Sequence, residues 1–172
     1  MNWLTLPMGP EAPEVVHAII EVPGGQANKY EFDKALHVFR LDRPLYASVH
    51  YPGDYGFIPS TVACDGDALD ILVLLPQPTF SGCLIVARPI GALKMLDEKV
   101  LDEKVLAVAV SSPTHVAIHH YTDLAPHALR EIEHFFSVYK ELEGKRTEIC
   151  GWLDARQTHE LIRECHERFR SH

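Results

Sequence analysis

A chain of 172 residues with 47% hydrophobic and 23% charged side chains has the size and balance of one globular domain that buries most of its apolar surface. Sixteen Lys and Arg stand against 24 Asp and Glu, a formal net charge of −8, which argues against nucleic acid or an anionic membrane as the main partner, because a phosphate backbone calls for a basic face. No segment holds the ~18 to 20 apolar residues that would cross a bilayer.

The first stretch, residues 1 to 13, carries Pro7, Gly9, Pro10 and Pro13 and reads as an irregular arm. No Lys or Arg precedes Lys29, so a secretory leader is not expected and the default address is the cytoplasm. From Val15 onward short strand-like runs follow at close spacing: 15 to 22, 29 to 33, 37 to 41, 70 to 75, 83 to 93 and 105 to 110. Such runs, broken by Pro and Gly, suggest an antiparallel barrel or sandwich. The pentapeptide LDEKV at 96 to 100 repeats at once at 101 to 105, between two of these runs. The character then changes. Residues 123 to 144 place Leu129, Ile132, Phe135, Phe136 and Tyr139 at helical spacing, with Gly144 as a stop. Asp154 is placed to cap a second helix with Leu161, Ile162, Cys165 and Phe169 on one face. Strands first and helices last, without βαβ alternation, predict an α+β fold built on a small barrel, as a single domain over 1 to 172.

The segment ACDGDALDILVLL, 63 to 75, joins three acids, Asp65, Asp67 and Asp70, to an uninterrupted apolar run. Asp and Gly are good turn formers, and a solvated loop would suit Asp65 and Asp67. Asp70 fits that reading poorly, because it opens the strand and belongs near the mouth of the barrel. Two carboxylates ~5 Å apart repel by roughly 3 kcal/mol at an effective dielectric near 20. Three converging acids therefore need protons or cations, and a hard divalent ion with oxygen ligands is an economical answer. The EF-hand template fails, since Leu69 stands where its third acid belongs. His159-Glu160 begins no zinc motif, since Arg163 stands at the second His position, and no G-x-x-x-x-G-K-[ST] or G-x-S-x-G segment is present. The cysteines Cys64, Cys83, Cys150 and Cys165 form no C-x-x-C pair and read as reduced thiols. The eleven histidines form no ligand pattern.

The D-x-D-x-x-D of DGDALDILV resembles the signature of the soluble family I inorganic pyrophosphatases. IIEVP, KYEFD, LDRP, YPGDYGFIP, KMLDEKVLDEK and HFFSVYKELE resemble further elements of that family, in family order, from about Val15 to Trp152. The resemblance implies a five-stranded antiparallel β-barrel of the OB type flanked by two main helices. It also implies Mg²⁺-dependent hydrolysis of pyrophosphate to two phosphates by direct attack of a metal-activated water. On the matching positions, Asp65, Asp70, Asp97 and Asp102 would hold the metals, and Asp67 would accept the proton. Lys29, Arg43, Tyr139 and Lys140 would bind phosphate oxygens, and Lys104 and Tyr55 would brace the leaving-group side. Glu21, Glu31 and Tyr51 would complete the cavity. Mn²⁺ or Zn²⁺ would be possible substitutes for Mg²⁺, and a homohexamer would be the expected assembly.

These residue types suit the chemistry. A diphosphate repels a nucleophile until cations neutralise it; Arg43 offers a planar fork, Lys29 and Lys140 compact charges. Two departures from the family pattern stand out: Ala68, where many relatives have Pro or Glu, and Val100, at a position that is often Gly. The latter makes the conformation between Asp97 and Asp102 less determined. Tyr139 also suits a plain core tyrosine, Lys140 a surface lysine and Glu31 a solvated rim residue. The competing functional readings are a non-catalytic barrel that binds divalent cations or polyanions, and a hydrolase of nucleoside triphosphates. Asp67 speaks against the first, because a binder can dispense with a proton acceptor. No nucleotide-base site is legible for the second.

Overall fold

The structure, a computed structural model, describes residues 2 to 171. Eight strands and two α-helices form in chain order: β1 Val16–Val22, β2 Asn28–Asp33, β3 Val38–Pro44, β4 Asp54–Phe57, β5 Asp70–Leu74, β6 Leu84–Asp97, β7 Val100–Ala109, α1 Pro126–Val138, β8 Thr147–Leu153 and α2 Ala155–Arg170. Among the described residues no helix is long and apolar enough to cross a membrane.

Five strands close on themselves in the order β1-β4-β5-β7-β6, because β6 returns to pair with β1. The expected five-stranded barrel is therefore present. Four of its pairings are antiparallel and the fifth, β5 with β7, is parallel. Parity requires this: strand direction cannot alternate all the way round an odd ring, so at least one pairing must be parallel. β6 reaches beyond the barrel. Its first residues pair with β1 and its last, Ala92 to Asp97, with β8; a register shift between Pro89 and Gly91 marks the change.

The strand period of two sorts side chains into an inner and an outer set. Ala18, Ile20, Ile71, Val73, Ala87, Ala92, Val105 and Ala107 form one buried cluster that α2 closes with Leu161, Ile162 and Cys165. Small and β-branched residues suit a narrow barrel interior. The alternate set, including Tyr55, Leu72, Leu93, Met95, Leu106 and Val108, packs under α1 through Ile132, Phe135 and Phe136. Pro126 sits in the first turn of α1, where its missing N–H costs nothing. Asp154 caps α2 by accepting from Gln157 N at 2.8 Å, and the Gln157 side chain accepts in turn from Asp154 N at 3.0 Å.

The hairpin β2–β3 is a separate two-stranded sheet laid on β1. Phe32 packs with Ile19 and Phe57, and its N–H donates to the Glu21 carboxylate at 2.7 Å. The arm before β1 is tied down by Ser60, whose N–H and hydroxyl donate to the carbonyls of Leu4 and Leu6. The repeated LDEKV is a hairpin. Its first copy ends β6, its second lies in β7, and Glu98 and Lys99 make the turn with φ of 47° and 73°. Positive φ at both central residues suits the tight hairpin turn. Val100 lies just past it, in extended β7, so a side chain where relatives often carry Gly is accommodated there.

Candidate active site

Alternation decides where the acids point. Asp70 begins β5 in line with Leu72, Asp97 ends β6 in line with Leu93 and Met95, and Asp102 and Lys104 precede Leu106 in β7. All four belong to the outward set. The cavity they line thus sits on the flank of the barrel, between the end of α1 and the β2–β3 hairpin, rather than at the barrel mouth where the sequence pattern placed Asp70. The inner set is fully occupied by core packing, which leaves no room for charge there.

The cavity has a volume of about 350 Å³. Every expected site residue except Arg43 lines it: Lys29, Glu31, Glu21, Tyr51, Tyr55, Asp65, Asp67, Asp70, Asp97, Asp102, Lys104, Tyr139 and Lys140. Arg43 stands just behind, opposite Lys29 in the β2–β3 pairing. Sequence reasoning missed Lys34, which also lines the cavity and holds Asp67 at 2.8 Å. Its position one residue past the KYEFD block was the only available signal.

Seven carboxylates and four ammonium groups line this space, and they alternate. Lys104, only 4% exposed, bonds Asp70 and reaches Asp102 at 2.6 Å. Asp70 and Lys104 are direct register partners across β5 and β7. Lys140 pairs with Asp97, and Lys29 with Glu31. Burial alone would lower the Lys104 pKa, yet Asp70 and Asp102 outweigh it and hold the ammonium well above its ordinary value. Burial raises Asp102, opposed in part by Lys104. Glu21 is pushed up to about 8, chiefly by burial and against the opposing bond from Phe32 N–H. Thus the crowded acids are relieved here by lysines and by a proton on Glu21. Burial likewise raises Tyr51, Tyr55 and Tyr139, which stay neutral hydroxyls at physiological pH and so remain donors.

Among the described residues no three His, Cys, Asp or Glu side chains form a ready cage for a metal. The lysines stand between the acids. The donor chemistry nonetheless fits a hard cation: the acidic groups offer only oxygens, they outnumber the ammonium groups, and Asp97 Oδ1 is buried without a partner. Tyr51 Oη and Arg43 Nη2 are the corresponding unsatisfied donors nearby. A site with both spare donors and a spare acceptor suits an anion that arrives with cations.

The sequence model described as "Inorganic pyrophosphatase" matches residues 18 to 170. The chain belongs to the inorganic pyrophosphatase family. It is 50% identical to an inorganic pyrophosphatase of Synechocystis sp. over 165 residues, 96% of this chain and 97% of the relative. A second, from Nostoc sp., is 51% identical over 162 residues, 94% and 95% of the two chains. The crystal structure of inorganic pyrophosphatase from Thermus thermophilus superposes with a TM-score of 0.96 at 44% identity, covering 99% of both chains. The family match spans the barrel from the third residue of β1, both α-helices and every cavity residue except Leu4.

Proposed function

We propose that this protein hydrolyses inorganic pyrophosphate to two phosphates by direct attack of water, with Mg²⁺ as its cation and Mn²⁺ or Zn²⁺ as possible substitutes. The observation that carries the reading is a cavity on the barrel flank in which acids in excess alternate with ammonium groups, Lys104 among them buried. Asp65, Asp70, Asp97 and Asp102 would hold the cations, which when bound neutralise the diphosphate and acidify the attacking water. Lys29, Arg43, Tyr139 and Lys140 bind phosphate oxygens, the lysines by exchanging carboxylate partners for phosphate ones. Lys104 and Tyr55 support the leaving phosphate from the barrel wall. Asp67, whose side chain is 71% exposed and touches Lys34, takes the proton of the attacking water. Catalysis is then positioning and charge stabilisation without a covalent enzyme intermediate.

The test is phosphate release from pyrophosphate and from ATP, side by side, with Mg²⁺ and with excess EDTA. Release from pyrophosphate with Mg²⁺, lost with EDTA and far slower from ATP, is expected. Release that persists in EDTA overturns the metal mechanism, and tight binding of pyrophosphate without turnover favours a polyanion-binding barrel. On the family resemblance we also place the protein in the cytoplasm as a homohexamer; light scattering that returns a monomer at micromolar concentration removes that assembly.

A further inference from the structure

A chain of alternating charges leaves the cavity on the side of the β2–β3 hairpin. Glu31 and Lys29 share one face of β2 and lie 2.5 Å apart, and Lys29 Nζ is 3.5 Å from Asp42. Asp42 accepts from Arg43 Nη1, and Arg43 Nε donates to Glu143 Oε1 at 2.9 Å. Glu143 is only 9% exposed and Arg43 22%. Removing either partner of a pair this sheltered would leave the other's charge uncompensated. Burial would lower the Arg43 pKa, but Glu143 and Asp42 outweigh it.

Glu143 closes a short 3-10 turn, Glu141–Glu143, that follows directly on Tyr139 and Lys140. Gly144 ends the turn with φ 75°, the left-handed conformation in which glycine carries no penalty. One brief segment thus delivers Tyr139 and Lys140 to the cavity and reaches with Glu143 to β3, on the hairpin that delivers Lys29. The guanidinium of Arg43 commits Nε and Nη1 to carboxylates and leaves Nη2 buried and unpartnered. A buried N–H without an acceptor is costly, so that nitrogen is held ready for an oxygen the free protein does not supply.

We propose that Glu143 is a positioning residue for the reaction: it fixes the Arg43 fork so that Nη2 stays available to a phosphate oxygen beside Lys29, and it locks the segment bearing Tyr139 and Lys140 to the β2–β3 hairpin. The inference rests on the pyrophosphate reading above. Lys140 bonds Asp97 and lies over the Tyr139 ring, while Arg43 bonds Glu143, so Glu143 ties the Tyr139–Lys140 segment to Arg43.

A double-mutant cycle on the full-length protein tests it. Glu143→Ala is expected to lower kcat/KM for pyrophosphate by about tenfold, mainly through KM, in line with misplacement of a binding group. Glu143→Gln, whose amide oxygen still accepts from Nε, should recover to within about threefold of wild type. In an Arg43→Ala background Glu143→Ala should change kcat/KM by less than about twofold. Thermal unfolding of each variant shows that it is folded. No loss in Glu143→Ala, no recovery in Glu143→Gln, or the same loss in both backgrounds would overturn the proposal. If the wild-type protein turns over no pyrophosphate, the functional reading fails first. The same cycle is then read on calorimetric affinity for imidodiphosphate, where absent coupling between positions 43 and 143 defeats the positioning role by itself.

Discussion

Replacing Lys104 with Met removes the charge at the centre of the site while keeping its stem. The ammonium is 4% exposed and is shared by Asp70 and Asp102, themselves 23% and 11% exposed. It also lies 5.7 Å from the Tyr55 ring and 5.9 Å from that of Phe136. Met is close in length and apolar, so packing against the two rings survives. What is lost is the neutralisation of two adjacent carboxylates. Removing one partner of a buried pair costs ~3–5 kcal/mol. The carboxylates face the cavity and so keep some access to water, which places the expected loss at the lower end, ~3 kcal/mol. For a chain of this length that is a fall in Tm of roughly 6–12 °C, at 2–4 °C per kcal/mol. The sign with pH follows. Burial already raises the Asp102 pKa against the pull of Lys104. Without the ammonium the penalty is therefore full at pH 7, shrinks as pH falls through the raised folded-state value and is gone once pH reaches the ordinary carboxylate range. Unfolding followed by circular dichroism at pH 7 and pH 4, in metal-free buffer, measures both. A loss under about 1 kcal/mol at pH 7, or an equal loss at the two pH values, would refute the assignment of Lys104 as the internal counter-ion.

Three further changes probe separate parts of the structure. Asp67→Asn breaks only the exposed contact with Lys34, worth under about 1 kcal/mol, and should leave Tm almost unmoved while cutting turnover ~10²-fold or more; wild-type rates in the variant would remove Asp67 as the proton acceptor. Gly56→Ala puts a Cβ 1.9 Å from the Ile19 carbonyl oxygen in the β1–β4 pairing, so the barrel must open there, and purified variant with an unchanged denaturation midpoint would contradict the close approach. Glu21, with its pKa pushed up to about 8 chiefly by burial, makes metal-free stability decline as pH rises from its ordinary carboxyl value toward 8, because the folded state holds the proton that the unfolded state has released. Glu21→Gln keeps an acceptor for Phe32 N–H and should abolish that slope; since Glu21 keeps partial contact with solvent, the recovered stability at pH 8 is expected near 1–3 kcal/mol at about 1.4 kcal/mol per pK unit.

Much of this fold is legible in short-range pattern. The apolar runs at 15 to 22 and 70 to 75 lie within one residue of β1 and β5, and the helical spacing of Ile132, Phe135 and Phe136 marks the face of α1 that is buried. Two strands escaped. In β4 the buried residues Asp54, Tyr55, Gly56 and Phe57 sit in a segment dense with Gly and Pro, where turn chemistry outweighs strand pattern. Asp54 adds to the disguise: it is fully buried, yet it accepts from the N–H groups of Gly24 and Thr79 at 2.8 and 2.9 Å and so belongs to the scaffold rather than the site. β8 holds Gly151 at φ 109° and alternates only weakly, because it pairs with the overhanging end of β6 outside the closed ring. The hydrophilic repeat at 96 to 105 lay between two apolar runs in the sequence, whereas in the structure it is the β6–β7 hairpin itself, and of its charged residues Asp97, Asp102 and Lys104 line the cavity.

The site shows why local pattern reaches only part of the way. Like charges in DGDALD can be seen to conflict from their spacing alone, but the cations that answer them come from elsewhere in the chain. Lys104 meets Asp70 through the parallel β5–β7 pairing, 34 residues apart, and Lys140 meets Asp97 from the far end of α1, 43 residues apart. That parallel pairing exists because five strands cannot alternate direction around a closed ring. The arrangement also explains why the acids tolerate one another before any dication or substrate arrives. Each ammonium lowers the repulsion between its neighbours while blocking their convergence, so loading the cavity with dications means displacing lysines. On the proposed function, the displaced lysines would then be free at the moment an incoming diphosphate needs positive charge. On the proposed function, a protein that kept the acids but not Lys104 and Lys140 would bind cations more readily and lose the counter-charges that would meet the substrate.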